Sequence, residues 1–210
     1  MARAKRAEVS APHRSLAGLM WPARGMASTD ALRAAVLVAL GIALLTLSAK
    51  VNLPLPLVPM TLQTLVVLVI GAAYGWRLGG TTIAAYLAVG ALGAPVFAGA
   101  SGGLAPLFGA TAGFLFGFVV AAFVVGWLAG RGWDRAVLPM FAAMALGHIV
   151  ILAMGFAWLA FGRHFGVEKA WAVGVAPFLA GMLVKNTLGA LLVPLLRREI
   201  ERCSVLARNA

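Results

Sequence analysis

The sequence predicts an all-α integral membrane protein, a bundle of six transmembrane helices, and three observations carry that reading. The chain has 210 residues, 62% of them hydrophobic and only 11% charged. A soluble domain is closer to half apolar and a quarter charged. The apolar residues gather in long blocks, for a mean hydropathy of +0.98. Lysine and arginine collect at alternate block boundaries, the asymmetry expected of cytoplasmic loops.

Residues 1–30 are mixed and basic, with Pro12 and Pro22, and read as a cytoplasmic N-terminal tail. No small-residue cleavage site follows the first apolar block, which argues against a secretory signal. A membrane domain is expected over 31–198. Its first span covers about 31–49, with Ser28, Thr29 or Asp30 as N-cap. The stretch "KVNLPLPLVPM" follows, where Pro54, Pro56 and Pro59 forbid a regular helix and make an extended connection. The second segment, about 61–74, would rise roughly 21 Å as a helix, short of the roughly 30 Å hydrocarbon core. The third covers about 78–92, separated from it only by "YGWRLGG". A glycine-rich loop over 93–113 leads to the fourth span, about 109–130. The fifth covers about 136–160 and the sixth about 171–196. Residues 199–210 form a C-terminal tail.

With the N-terminus inside, the cytoplasmic side holds Arg3, Lys5, Arg6, Arg14, Arg24, Arg33, Arg77, Arg131, Arg135, Arg197, Arg198, Arg202 and Arg208. The outer side holds Lys50, Arg163 and Lys169, and Lys185 lies inside a helix. Both termini are therefore expected in the cytoplasm. The net charge of +11 belongs to the inner membrane face, and no nucleic-acid partner is expected. The single Cys203 excludes an internal disulfide.

No G-x-x-x-x-G-K-[ST] motif is present, so the chain has no phosphate-cradling loop of that kind. His13, His148 and His164 lack metal-ligand spacing, and no cysteine can join them. The acids Glu8, Asp30, Asp134, Glu168, Glu199 and Glu201 all fall in tails, loops or helix ends. No catalytic residue, metal ligand or cofactor is assigned. His148, in the fifth helix, reads as a histidine packed against a neighbouring helix.

Ala31, Ala35, Ala39 and Ala43 recur at every fourth position of the first helix, and Gly109, Gly113 and Gly117 at every fourth position of the fourth. Small residues let helix backbones approach closely in lipid. The glycine row is expected to pack inside the bundle, while the alanine row on an edge helix could dock another protein. The loop over 93–113 carries no charge and has glycine at 93, 99, 102, 103, 109 and 113. Such a loop can fold over a cavity with its N–H groups as donors, or be merely flexible. Lys185 sits mid-segment in "APFLAGMLVKNTLGALLVPLLRR", with Gly181 and Gly189 on its face and Asn186 and Thr187 beside it. A cation inside a membrane helix is by default a functional-site candidate. The alternative is a lysine reaching the outer interface.

Four motifs, in order, resemble the BioY family: "VPMTLQTL" after the proline-bearing loop, "GALGAPVFAGASGG", "GATAGFLFGF", and "PFLAGMLVK" in the last helix. That family comprises the biotin-specific S components of energy-coupling factor (ECF) transporters, and the resemblance spans about residues 30–198. It implies a six-helix bundle that binds biotin from the outer side and works with a transmembrane coupling subunit and ATPase subunits. The first-helix pattern Ala31, Ala35, Ala39 matches the family's docking motif for the coupling subunit. The expected substrate-binding residues are Gln63, Phe97, Ser101, Gly102, Gly103, Thr111, Lys185 and Asn186. Met182 stands where the family's last-helix motif carries an acid, Ser101 where an asparagine is frequent, and Leu115 where some members have arginine. The expectation is a biotin-capturing inner-membrane protein that is not an enzyme, with Lys185 meeting the biotin carboxylate. The rival readings are a carrier of a related vitamin, a small intramembrane enzyme and a structural subunit.

Overall fold

The computed structural model describes residues 15–23, 25–55 and 57–209. Arg3, Lys5, Arg6, Glu8, His13, Arg14, Arg24 and Pro56 lie outside them, as does half of the expected N-terminal tail. The part of that tail that is described is folded. Ser15 caps α1 (Leu16–Met20) by accepting the Gly18 N–H at 3.2 Å, and Leu16 and Ala17 are buried. Arg33 ties this turn down by donating to the Ala17 carbonyl at 3.0 Å.

The helix α2 (Ala27–Lys50) starts one turn earlier than expected, after Met26, which makes no side-chain cap. Ser28, Thr29 and Asp30 thus lie inside the first turn rather than at the cap. Two of them still serve the helix end: the Asp30 carboxylate accepts the Gly25 N–H at 3.1 Å, and Thr29 donates to the Met26 carbonyl at 3.0 Å. A carboxylate there also suits the positive end of the helix dipole. The proline-bearing connection is extended, as its prolines require, and closes into a short antiparallel hairpin. Its strands β1 (Asn52–Leu53) and β2 (Met60–Thr61) pair Asn52 with Thr61 and Leu53 with Met60.

The helices α3 (Gln63–Tyr74) and α4 (Trp76–Ala91) are joined by Gly75 alone. Its φ of +80° is the left-handed turn that an L side chain resists. With 12 and 16 residues, they rise only about 18 and 24 Å. After the glycine-rich loop and the short α5 (Ala105–Phe108), α6 (Ala112–Ala129) runs through the centre of the bundle with most of its residues buried. Gly113 and Gly117 pack inside against α7 (Val137–Ala157), as the sequence led us to expect. A Cβ on Gly113 would lie 2.5 Å from the Met154 carbonyl oxygen, and one on Gly117 3.1 Å from the Ile151 Cα. Gly109 stands before α6 and accepts the Trp158 indole N–H through its carbonyl at 2.8 Å. The helix α7 continues as a π turn over Trp158–Gly162.

The expected sixth helix is two. The helix α8 (Val167–Gly174) ends at Val175, and α9 (Phe178–Asn209) restarts just after Pro177, because a proline disfavours helical geometry at the residue before it. The helix α9 then passes through Pro194 and runs on past Leu196, so the expected C-terminal tail is helical backbone. Phe178, Met182, Asn186, Ala190, Val193 and Arg197 turn toward the bundle, while Leu179, Leu183, Leu188 and Leu195 stay exposed. A leucine face with no protein against it suits lipid.

Among the described residues, four helices are long and apolar enough to cross a membrane: α2, α6, α7 with its π turn, and α9. The protein is a multi-pass membrane protein by this measure. At one end of the bundle Asp134, fully buried in the turn between α6 and α7, accepts a bond from the guanidinium of Arg197 at 2.5 Å. Glu201, one turn further along α9, holds the same guanidinium at 3.0 Å.

Candidate substrate-binding site

At the other end of the bundle lies a pocket of about 320 Å³, walled by the hairpin, α3, the glycine-rich loop and the facing ends of α6, α7 and α9. It lies along the first turns of α9, and its residue there nearest Arg197, Lys185, is roughly 18 Å along that helix from it. Phe97, Phe114, Leu115, Phe118, Ile151, Leu152 and Phe178 make the wall mainly apolar. A pocket of that size and lining, with few polar groups, suits a small amphipathic molecule.

The polar groups come from four elements. Lys185 on α9 is part-buried and is the sole charged side chain in the wall among the described residues. Its ammonium donates to the Thr61 carbonyl at 2.6 Å and to Thr64 Oγ1 at 3.2 Å. It therefore has neutral partners for two of its three protons and, among the described residues, no carboxylate partner. The face that Lys185 shares with Gly181 and Gly189 is not open. Met60 of the hairpin packs at Gly181, and Met144 of α7 packs at Gly189. The glycines admit these methionines and so bring the hairpin and α7 close to the lysine.

Gln63, at the start of α3, is 3% exposed. Its amide donates to Tyr86 Oη at 2.6 Å, and Tyr86 donates onward to the Val96 carbonyl at 2.9 Å. Thr61 Oγ1 closes the chain by accepting the Gln63 backbone N–H at 3.2 Å. A hydrogen-bonded row thus joins hairpin, α3, α4 and the glycine-rich loop. The loop is folded over the pocket. Lys50, at the end of α2, donates to the Pro95 carbonyl at 2.8 Å and the Phe97 carbonyl at 3.4 Å. Phe97 meets Tyr86 edge-on at 5.5 Å between ring centres. Gly103, at φ +80°, donates to the Gly90 carbonyl at 2.8 Å.

Of the residues singled out in the sequence, Gln63, Phe97, Ser101, Thr111 and Lys185 come together in the pocket wall. Gly102, Gly103 and Asn186 do not. Gly102 lies so close to the Gly93 and Ala94 carbonyls that a Cβ would collide, and Gly103 fastens the loop. Both shape the wall without lining it. Asn186, 1% exposed, is buried behind the wall. The sequence reading passed over Thr64 and Phe178 and took His148 for a histidine packed against a neighbouring helix; it is 3% exposed and also lines the pocket. Its signal was a lone polar residue in an apolar helix, which spacing alone cannot tell from core packing.

Fold and pocket together define a multi-pass helical membrane protein with a small-ligand site near one end. Comparison with known proteins narrows this. The BioY family profile matches residues 20–202. A probable biotin transporter BioY of Pyrococcus horikoshii is 40% identical over 149 residues, which is 71% of this chain and 86% of that protein. The biotin transporter BioY of Thermotoga maritima is 38% identical over 161 residues, 76% of this chain and 94% of the relative. The chain belongs to the BioY family. Its fold is similar to a crystal structure of the S-component for biotin from an ECF-type ABC transporter. That likeness has a TM-score of 0.73 at 22% identity and covers 83% of this chain and 95% of the other.

Proposed function

We propose that this protein captures biotin from the outer side of the cell membrane as the substrate-binding component of an ECF-type transporter. The observation that carries the reading is Lys185, a cation in an otherwise uncharged, largely apolar pocket, with one ammonium proton beyond its two neutral acceptors. The ligand's rings fit the aromatic wall and its carboxylate meets the ammonium. The family relatives named as biotin transporters support the choice of ligand.

Six membrane segments serve this function in our reading: α2, α3, α4, α6, α7 and α9, with the two short ones completed by neighbouring residues. The membrane body spans 31–198, between a basic cytoplasmic N-terminal end at 1–30 and a cytoplasmic C-terminal end at 199–210. The inward bias of arginine supports that orientation, with the pocket outside. The coupling subunit docks on Ala31, Ala35 and Ala39. These alanines and Ala43 are exposed along the face of α2 turned away from the bundle, so they are not used for packing within this chain. The energy for transport comes from separate ATPase subunits, since this sequence has no phosphate-binding motif of its own.

Equilibrium binding of radiolabelled biotin to the purified protein tests the reading, with lipoate as competitor. Saturable binding that lipoate displaces poorly is expected. Binding of lipoate in preference to biotin would assign the pocket to a related vitamin, and binding of neither would overturn the proposal.

A further inference from the structure

At the end of the bundle where Asp134 meets Arg197, a second cavity of about 380 Å³ opens between the α3–α4 turn, the last turn of α6 and the start of α1. Trp76 and Arg77 form one side, Gly126 and Gly130 another, and Ser15 and Arg33 a third. A Cβ on Gly126 would lie 2.5 Å from the Trp76 backbone nitrogen, so this glycine lets the turn seat against α6. The cavity stands level with the end of α6, a helix long enough to cross a membrane. The ends of such helices sit at headgroup depth.

Three arginines surround the cavity. Among the described residues, no carboxylate is within ion-pair distance of Arg33, Arg77 or Arg131. Asp134 also borders the cavity, but Arg197 holds its carboxylate, and Asp30, one turn before Arg33, accepts from the Gly25 N–H. Nη2 of Arg33 donates to the Ala17 carbonyl and Nε is enclosed, which leaves the open Nη1 for a ligand. The Arg77 guanidinium lies 4.7 Å from the centre of the Trp76 ring. That of Arg131, next to Gly130, lies 3.4 Å from the centre of the Trp127 ring. Stacking on an indole positions a guanidinium without using its N–H donors. Trp76 and Trp127 are both exposed, and Phe123 bridges them: it is 6.2 Å from Trp76 between ring centres and one turn from Trp127 on α6. Exposed indoles favour the membrane interface.

We propose that this cavity and its aromatic rim bind one anionic phospholipid. Arg33 and Arg77 meet the headgroup phosphate, Arg131 stands at its edge, and the acyl chains lie against Trp76, Phe123 and Trp127. Guanidinium donors match phosphate oxygens as a fork. The apolar rim selects a lipid over a free anion, because inorganic phosphate has nothing to place against it. This goes beyond biotin capture and does not depend on it. Arg33 lies about 200° around α2 from both Ala31 and Ala35, so the lipid site and the alanine face are separate surfaces.

Native mass spectrometry of the full-length protein in detergent counts the lipids retained during titration with dioleoylphosphatidylglycerol or dioleoylphosphatidylcholine. A cation near an anionic lipid is worth about 1 kcal/mol, or roughly 5-fold in affinity. With two cations on the phosphate, wild type is expected to retain one phosphatidylglycerol about 25-fold more tightly than phosphatidylcholine. Arg33→Gln and Arg77→Gln should each reduce that preference about 5-fold, and the double variant should nearly abolish it. Arg163→Gln, exposed at the other end of the bundle, should leave it unchanged. Helical circular dichroism establishes that each variant is folded. Equal retention of the two lipids by wild type, a result that needs no variant, would overturn the proposal. So would a preference that survives the double substitution. Displacement of phosphatidylglycerol by inorganic phosphate, but not by sodium chloride of equal ionic strength, would assign the cavity to a free anion and overturn the choice of a lipid.

Discussion

Lys185 is held by a carbonyl and a hydroxyl, both neutral, in the wall of an apolar pocket. A lysine that only reached for the membrane interface would not need the hairpin and α3 to turn partners toward it. Removing one side of a buried charged pair costs about 2–5 kcal/mol, or roughly 30- to several-thousand-fold in affinity. Lys185→Met is therefore expected to weaken biotin by that factor in an equilibrium binding assay, and biotin methyl ester far less, since the ester has no charge to lose. Equal losses would move the lysine's contact to another part of the ligand. The lysine was legible in the sequence because a charge stands out in an apolar segment. Thr64 and His148 were not, because which neutral polar side chains reach a pocket depends on how helices distant in sequence are turned. Asn186 shows the same limit from the other side: next to Lys185 in the chain, it faces a different neighbour.

The elements followed the sequence where a local rule governs them. Prolines made the connection after α2 extended, and the glycine row of α6 packed against α7. Pro177 broke the last segment where a continuous helix had been expected, although the bias against helix before a proline was present to be read. The folding of residues 15–20 against the bundle had no comparable local signal. The alanine face of α2 belongs to this scale. Ala35→Trp or Ala39→Trp should abolish biotin uptake by cells while leaving binding to the purified protein unchanged, because a bulky side chain separates surfaces that small residues let meet. Loss of binding as well would mean that the face supports the pocket instead. The Asp134–Arg197 pair belongs here too. It joins the turn before α7 to the end of α9, and Asp134 is fully buried. Replacing Arg197 with Leu takes this cation from a fully buried carboxylate, and breaking a buried ion pair typically costs about 3–5 kcal/mol. A clear fall in the thermal unfolding midpoint in detergent, with Asp134→Asn less affected, is the expected outcome. An unchanged midpoint would show that the pair contributes nothing net.

At the scale of the whole molecule, bases gather toward one end of the bundle and the pocket opens toward the other. In intact cells an impermeant thiol reagent should leave Cys203 unlabelled and react with it only after permeabilisation; labelling of intact cells would reverse the orientation. The central claim is that biotin occupies this pocket, and protection of a cysteine placed in its wall tests it most directly. Ala110 lines the pocket without a polar role, and Leu188 faces away from the bundle. In a Cys203→Ser background, maleimide labelling of Ala110→Cys is compared with that of Leu188→Cys, with and without biotin. At biotin 100 times its dissociation constant the account predicts labelling of Ala110→Cys slowed about 100-fold and labelling of Leu188→Cys unchanged. Equal rates at Ala110→Cys with and without bound biotin would contradict it.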